Sequence, residues 1–360
     1  MVTWSAKPYT HAEAKMSMDL RKKLEERERI KKNFFDYKQS NKEKEIKRLP
    51  DIIGIGVKKC GTGSLLEFLL LNPAVRPPNQ GKRETIVGET FFFNKKFDLG
   101  IGYYKNLFPY VNDREKIIEK TPSYFMYPPS ELPERIYNIL PEAKLLLMVC
   151  DPTPRVFSDY IHQTIRYQLH NDKSLAKYET FEEYIDHYLP KMKNLTKSWL
   201  TSSTMDSDQE LEKMLSSFMI TDRAALLLST GLYFFHIQRW LRIYNASNLM
   251  IIDGEEFLRS PGPVLEKIQE FIGVPKLVLH EEFMKNPETN FFCYRPLSES
   301  QLNNNVETIF DDFRCPGENK GRTRNGAKPM PEAISLQLRN FYRPFNKAFF
   351  KKIGCDFGWQ

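Results

Sequence analysis

Short apolar runs alternate with helix-period segments along most of this chain. The first run, Ile52-Ile-Gly-Ile-Gly-Val57, reads as a buried strand, and Ser64-Leu-Leu-Glu-Phe-Leu-Leu-Leu71 opens a helix after it. Asn72-Pro73 and Pro77-Pro78-Asn79-Gln80-Gly81 are turn signals and mark a loop. Glu89-Thr-Phe-Phe-Phe93 is an aromatic run suited to a short buried strand or turn, and Gly100 to Phe108 predicts a short amphipathic helix. Lys116-Ile-Ile-Glu-Lys-Thr-Pro122 predicts a second strand ending in a turn, and Pro133 to Leu140 a helix. Ala143-Lys-Leu-Leu-Leu-Met-Val-Cys150 is the strongest strand, apolar at nearly every position, as a central parallel strand covered on both faces requires. Asp151-Pro152 ends it, and Thr153 to Gln168 reads as helix. Residues 169–222 are polar and helix-like with no strand signal. Gly231 to Ile243 is an amphipathic helix, Asn248 to Asp253 a strand and Pro263 to Ile272 a helix. This alternation predicts an α/β fold with a doubly wound parallel sheet. A polar excursion follows Phe291-Phe-Cys293, and Ile334 to Phe349 forms a last amphipathic helix.

Charge changes the picture at the N-terminus. Residues 1–50 read as a charged helical stalk or spacer, with Pro50 at the boundary and the globular domain spanning 51–360. Between Arg21 and Arg48 there are 12 basic and 6 acidic residues, whereas the formal charge of the whole 360-residue chain is +7. The rest is therefore close to neutral, which argues against a nucleic-acid footprint. An anion site has to be made locally by a few converging side chains. The five cysteines contain no C-x-x-C pair, so a zinc site is not expected, and an odd count leaves at least one thiol free. Cys293 and Cys315 have a spacing that can close a hairpin loop. Asn194-Leu-Thr196 and Asn245-Ala-Ser247 are glycosylation sequons, relevant only in the secretory pathway. No apolar stretch is long enough to span a membrane, and residues 1–20 lack the apolar core of a signal peptide. On these grounds either the chain is cytosolic or its targeting stretch lies outside this sequence.

The candidate chemistry begins at Lys58-Lys-Cys-Gly-Thr-Gly-Ser64. Strand, small-residue loop and helix N-terminus make a ready anion cradle. It is not a Walker A loop, because the lysines precede the glycines and no Gly-Lys-Ser/Thr closes it; a nucleotide kinase is disfavoured for the same reason. Lys120-Thr-Pro-Ser-Tyr-Phe125 and Asp151-Pro-Thr-Pro-Arg-Val-Phe-Ser-Asp-Tyr160 also follow strands, and Lys320-Gly-Arg322 lies in a late loop. The C-terminal ends of parallel strands share one edge, so these segments are expected to bring Lys58, Lys59, Lys120, Arg155, Lys320, Arg322 and Arg324 together.

With these motifs in order, the chain resembles the heparan sulfate sulfotransferases, and most closely the glucosamine 3-O-sulfotransferases. The resemblance covers about Leu49 to Gln360. It rests on the segments above and on Gly231-Leu-Tyr, Ile252-Asp-Gly-Glu, the Cys293 and Cys315 pair and Phe357-Gly-Trp359. It implies a sulfotransferase fold with a P-loop-like phosphosulfate-binding loop. It also implies the donor 3′-phosphoadenosine 5′-phosphosulfate (PAPS), a heparan-sulfate-type acceptor, no metal, a Cys293–Cys315 disulfide and work in the Golgi lumen. By the same resemblance Lys59, Cys60, Gly61, Thr62 and Gly63 cradle the phosphosulfate. The position of Cys150 and Ser158 face the 3′-phosphate, and Lys320, Gly321, Arg322, Thr323 and Arg324 close over the nucleotide. Glu89 is the expected catalytic base, with Lys59 and Lys120 as catalytic cations. Glu89, Thr90, Phe91, Phe92, Phe93, Asn94 and Lys95, with Lys120, Thr121, Pro122 and Ser123, line the acceptor side.

Sulfuryl transfer asks mainly for in-line positioning and charge stabilisation, which these residue types can supply. The chain departs from the family pattern where Cys150 replaces an arginine, Phe91 a histidine, Gly63 an arginine and Asn94 an acidic residue. A thiol makes no bidentate phosphate contact. These departures carry the alternative, a catalytically degenerate module that binds glycosaminoglycan or nucleotide. Read plainly, Glu89 is a surface carboxylate beside a core plug, Lys120 a strand-end lysine, Ser158 an ordinary helix serine and Cys150 a small buried apolar residue.

Overall fold

The computed structural model of the chain describes residues 11–79, 88–126, 131–170, 178–201, 213–215, 217–218, 222–286, 291–296, 315 and 329–359. A long helix, α1 (His11–Ser40), leads through a two-residue strand, β1 (Ile46–Lys47), into the globular part. Then come β2 (Ile52–Gly56), α2 (Thr62–Leu69), β3 (Val75–Arg76), α3 (Gly100–Asn106), β4 (Tyr110–Val111) and β5 (Lys116–Lys120). They are followed by α4 (Leu132–Ile139), β6 (Lys144–Val149), α5 (Pro152–His170), α6 (Phe181–Thr201), α7 (Leu226–Ser229) and α8 (Tyr233–Ile243). The described chain ends with β7 (Leu249–Asp253), α9 (Gly254–Arg259), α10 (Pro261–Phe271), β8 (Phe283–Lys285), β9 (Phe292–Tyr294) and α11 (Glu332–Ile353).

Five strands form one parallel sheet in the order β3-β5-β2-β6-β7. The chain starts in the middle at β2, adds β3 and β5 on one side, then crosses to add β6 and β7 on the other. The expected doubly wound sheet is therefore present. The winding direction reverses between β2 and β6, so a crevice opens over the C-terminal ends of those two strands. β2 is buried along its whole length and β6 from Leu145 to Val149, as continuous apolar runs covered on both faces must be. The predicted strands and helices are found with ends shifted by a few residues at most. β1, β3 and β4 have only two residues each, too few for any periodicity to show. The Glu89–Phe93 run is a single bridging residue followed by a π-type turn over Phe92–Lys96.

A second core lies away from the sheet. Val156 of α5, Tyr184, Tyr188 and Trp199 of α6, Leu228 of α7, Phe235 of α8 and Phe345 of α11 pack into one cluster. The described part of the polar, strandless stretch is thus a packed helical layer, with one face of α6 buried.

The charged N-terminal segment forms α1. The boundary at residue 50 is one of composition; in space the helix lies against the domain. Leu24 and Phe34 are buried in the contact, Lys23 pairs with Glu281 at 2.7 Å and Lys38 with Glu115 at 2.6 Å. Arg27, itself 5% exposed, pairs with the fully buried Glu282. Glu282 also accepts the Leu279 N–H at 2.9 Å, which seats the start of the turn before β8. Removing one partner of a buried pair leaves the other charge uncompensated. Arg27→Ala is therefore expected to destabilise the fold by about 3 kcal/mol in denaturant titrations. A loss under about 1 kcal/mol, the size of a surface pair, would show that Glu282 is not held by this contact.

Candidate functional site

The loop after β2 runs over the crevice at the switch point. Lys59 takes a left-handed backbone (φ 74°), and Gly61 (φ 98°) stands at the start of α2. Gly61 brings no side-chain cap to a helix whose first-turn N–H groups have no partner inside it. Thr62 is buried, while Lys59, Gly63 and Ser64 are half-buried at the edge of the loop. The strand, small-residue loop and helix N-terminus expected from the sequence are thus present, on the element where they were expected.

Cys60 in this loop is bonded to Cys150 at the end of β6, with a Cα–Cα distance of 5.3 Å. Cys150 is buried, but the reading of it as a small apolar thiol is corrected, since its sulfur is in the bridge. The physical reason is parallel pairing. β2 and β6 are neighbours, so the loops leaving their ends run side by side although 90 positions separate the two cysteines. The Cys150 carbonyl is also committed, accepting a hydrogen bond from the Tyr233 hydroxyl at 2.9 Å. The expected Cys293–Cys315 disulfide is present, with Cα atoms 4.2 Å apart, and the exposed Cys355 is the remaining free thiol.

Two of the expected cations are paired with an internal carboxylate. Arg155 is fully buried, pairs with Asp159 at 3.2 Å and donates to the Leu227 carbonyl. Lys58 pairs with the other oxygen of Asp159 at 2.7 Å. Burial alone would raise the Asp159 carboxyl; the charges of Lys58 and Arg155 outweigh it and hold the group below its usual range. The trio ties the cradle to α5 from beneath. Ser158, one residue away on α5, is buried. Lys320, Gly321, Arg322, Thr323 and Arg324 lie outside the described residues.

On the neighbouring strand, Lys120 at the end of β5 forms an ion pair with Glu89. Both side chains are largely buried, 9% and 17% exposed. Gly54 of β2 stands opposite Lys120 in the sheet, and a Cβ there would meet Lys120 Cγ at 2.8 Å. Only glycine leaves the lysine room to turn toward Glu89. The two stretches expected to meet do so. The Phe91 N–H donates to Thr121 Oγ1 at 3.3 Å, and Asn94 Nδ2 donates to Ser123 Oγ at 2.9 Å. Phe91 is left-handed (φ 53°), which swings the chain from Thr90 into the π-type turn. Phe92 and Phe93 are buried, with Phe92 stacked on Tyr104 at 4.2 Å, while Lys95 is exposed over the Phe91 ring. Thr121 and Pro122 are buried at the strand end, and Ser123 is half-buried.

Beneath this pair sits a residue the sequence reading missed. Glu119 is fully buried and is met by hydroxyls: Thr90 donates to it, and Tyr124 and Tyr104 lie beside it. Burial pushes its carboxyl up to about 7, against the pull of those hydroxyls and with a further push from Glu89. The Tyr124 hydroxyl also accepts the Phe93 N–H at 3.2 Å, so the network fastens the whole Glu89 turn to β5. Its only trace in the sequence is an acidic residue on the apolar side of Lys116-Ile-Ile-Glu-Lys120.

The geometry agrees with what comparison with known proteins finds. A family model described as "Sulfotransferase domain" matches residues 49–343. The chain is 31% identical over 314 residues to heparan sulfate glucosamine 3-O-sulfotransferase 6 of Mus musculus, covering 87% of this chain and 75% of that protein. It is 30% identical over 314 residues to heparan sulfate glucosamine 3-O-sulfotransferase 3B1 of Homo sapiens, covering 87% of this chain and 66% of that one. Among solved structures, the sulfotransferase from Alicyclobacillus acidocaldarius superposes with a TM-score of 0.51 at 20% identity, over 86% of this chain and 97% of that chain, a likeness of fold.

Glu119 holds its proton more tightly in the folded chain than in the unfolded one. The stability this contributes is full below about pH 4.5 and lost as pH rises through about 7. Glu119→Gln stays neutral throughout. The wild-type melting temperature is therefore expected to fall relative to that of Glu119→Gln across this window in scanning calorimetry, and parallel curves would refute the assignment.

Proposed function

We propose, from the premise that this chain belongs to the sulfotransferase family, that it moves a sulfuryl group from PAPS to the 3-hydroxyl of a glucosamine in a heparan-sulfate-type polysaccharide. The observation that carries this reading is the placing of two units at one sheet edge. A loop-to-helix turn with glycine at the N-cap follows β2, and a buried Glu89–Lys120 pair stands on the adjacent β5. The acceptor is argued from the relatives' names and from the resemblance in the Glu89 and Lys120 segments.

In this reading the loop from Lys59 to Gly63 holds the 5′-phosphosulfate, with Ser158 and the segment from Lys320 to Arg324 taking the nucleotide's 3′-phosphate end. Glu89 accepts the proton of the sugar hydroxyl as its oxygen bonds to sulfur. The bond from sulfur to the bridging phosphate oxygen breaks, and Lys59 meets the charge that builds on that oxygen. The products are the sulfated sugar and 3′-phosphoadenosine 5′-phosphate. Lys120 fixes the direction of the Glu89 carboxylate, and the turn from Thr90 to Lys95 with Thr121, Pro122 and Ser123 forms the acceptor side. No step calls for a metal ion. Two disulfides fit an oxidising compartment, in line with the Golgi lumen. Among the described residues no helix is long and apolar enough to cross a membrane.

A second reading, a module that binds polysaccharide or nucleotide without turnover, is favoured by the Cys60–Cys150 bridge standing where a phosphate-gripping side chain was expected. Transfer of labelled sulfate to heparan sulfate separates the two. The wild type is expected to be active, and Glu89→Gln to lose about 10²- to 10⁴-fold in kcat, the usual contribution of a general base. Lys59→Ala is expected to lose transfer as well. A wild type that binds 3′-phosphoadenosine 5′-phosphate but transfers nothing would establish the second reading instead.

A further inference from the structure

We propose that the Cys60–Cys150 disulfide is a positioning element of the donor site, clamping the phosphosulfate loop in its binding shape. The inference rests on the sulfuryl-transfer reading above. The bridge lies at the point where the sheet's winding reverses, joining the ends of β2 and β6 on either side of the crevice. A surface staple would be exposed; these cysteines are 1% and 8% exposed.

The loop needs such a clamp. Lys59, immediately before Cys60, has a left-handed backbone, a conformation that a side-chain-bearing residue keeps only when its surroundings enforce it. The Cys60 N–H donates to the Val57 carbonyl at 3.2 Å, and the Leu65 N–H to the Gly61 carbonyl at 3.0 Å, so these bonds tie the loop to its own strand and helix. The disulfide adds a covalent tie from the tip of the loop to a different strand.

The surroundings of the bridge are rigid. Tyr233 of α8 lies over it, donating to the Cys150 carbonyl at 2.9 Å with its oxygen 3.7 Å from Cys60 Sγ. Gly254, at the end of β7, packs against it so closely that a Cβ would stand 2.8 Å from both the Cys60 and the Val149 carbonyl oxygens. Asp253 accepts the Glu255 N–H at 2.9 Å, and Glu255 accepts the Asp151 N–H at 2.8 Å, fastening the ends of β7 and β6 together. The clamp is thus anchored to a block formed by two strand ends and α8, and the loop inherits that rigidity.

The test compares Cys60→Ala, Cys150→Ala and the double variant with the wild type, each verified as folded by circular dichroism. Calorimetry with 3′-phosphoadenosine 5′-phosphate reads donor affinity. A loop that occupies its binding shape about a tenth of the time binds about tenfold more weakly, so Kd is expected to rise about tenfold. Either substitution alone opens the bridge, so each single variant is expected to lose as much as the double. The KM for PAPS should rise in step while the KM for heparan sulfate stays put. Folded variants with a lower melting temperature and unchanged nucleotide affinity would overturn the proposal, leaving the bridge a stabiliser only. Peptide mapping of the unreduced wild type is the independent check should the variants not fold: linked Cys60 and Cys150 peptides are expected, and free thiols there would overturn it. A wild type that binds no nucleotide would overturn the donor reading itself and this proposal with it, even with the bridge intact.

Discussion

Parallel pairing of β2 with β6 determines where the other parts of this protein can sit. Because both strands run the same way, their C-terminal ends open onto one edge, and because the winding reverses between them, the connections leave in opposite directions. The loop after β2 and the turn after β6 therefore flank a common crevice. The Cys60–Cys150 bridge, the cradle at the start of α2 and the Asp159 trio beneath it all follow from that neighbourhood. β5, on the other side of β2, brings the Glu89–Lys120 pair to the same edge.

Burying charge at this edge is solved in two ways. Asp159 is surrounded by cations, and the attraction of Lys58 and Arg155 outweighs the cost of removing it from water. Glu119 has hydroxyl groups beside it instead, and burial shifts it toward its neutral form. The first arrangement supports the loop after β2 and the second the turn that carries Glu89. Each places an ionisable group directly under a loop that has to hold its shape without regular secondary structure, so the loop inherits the rigidity of the sheet.

Much of this was legible in the sequence. The continuous apolar run from Ala143 to Val149 announced a central strand, and the break from Val57 into Lys58-Lys-Cys-Gly-Thr-Gly-Ser64 announced a strand-to-helix turn, because burial and turn chemistry act over a few neighbouring residues. The meeting of the Glu89 and Lys120 stretches was legible through ordered motifs. The pairing of Arg155 and Lys58 with Asp159 was not legible because a basic residue near a strand end looks the same whether it faces a ligand or a buried aspartate. The docking of α1 was hidden for a similar reason: Arg27 and Lys38 look solvated until Glu282 and Glu115 arrive from distant segments.

The amino-acid sequence by itself determined the order of the longer strands and helices, the position of the loop-to-helix turn after β2 and the residue types available at that edge, since these depend on local pattern. Tertiary structure alone decided that Cys60 pairs with Cys150, which cations are spent on internal carboxylates and which carboxyl burial shifts toward its neutral form. Those outcomes depend on strand neighbours and burial, and no spacing along the chain encodes that Cys60 and Cys150, 90 positions apart, end their strands side by side.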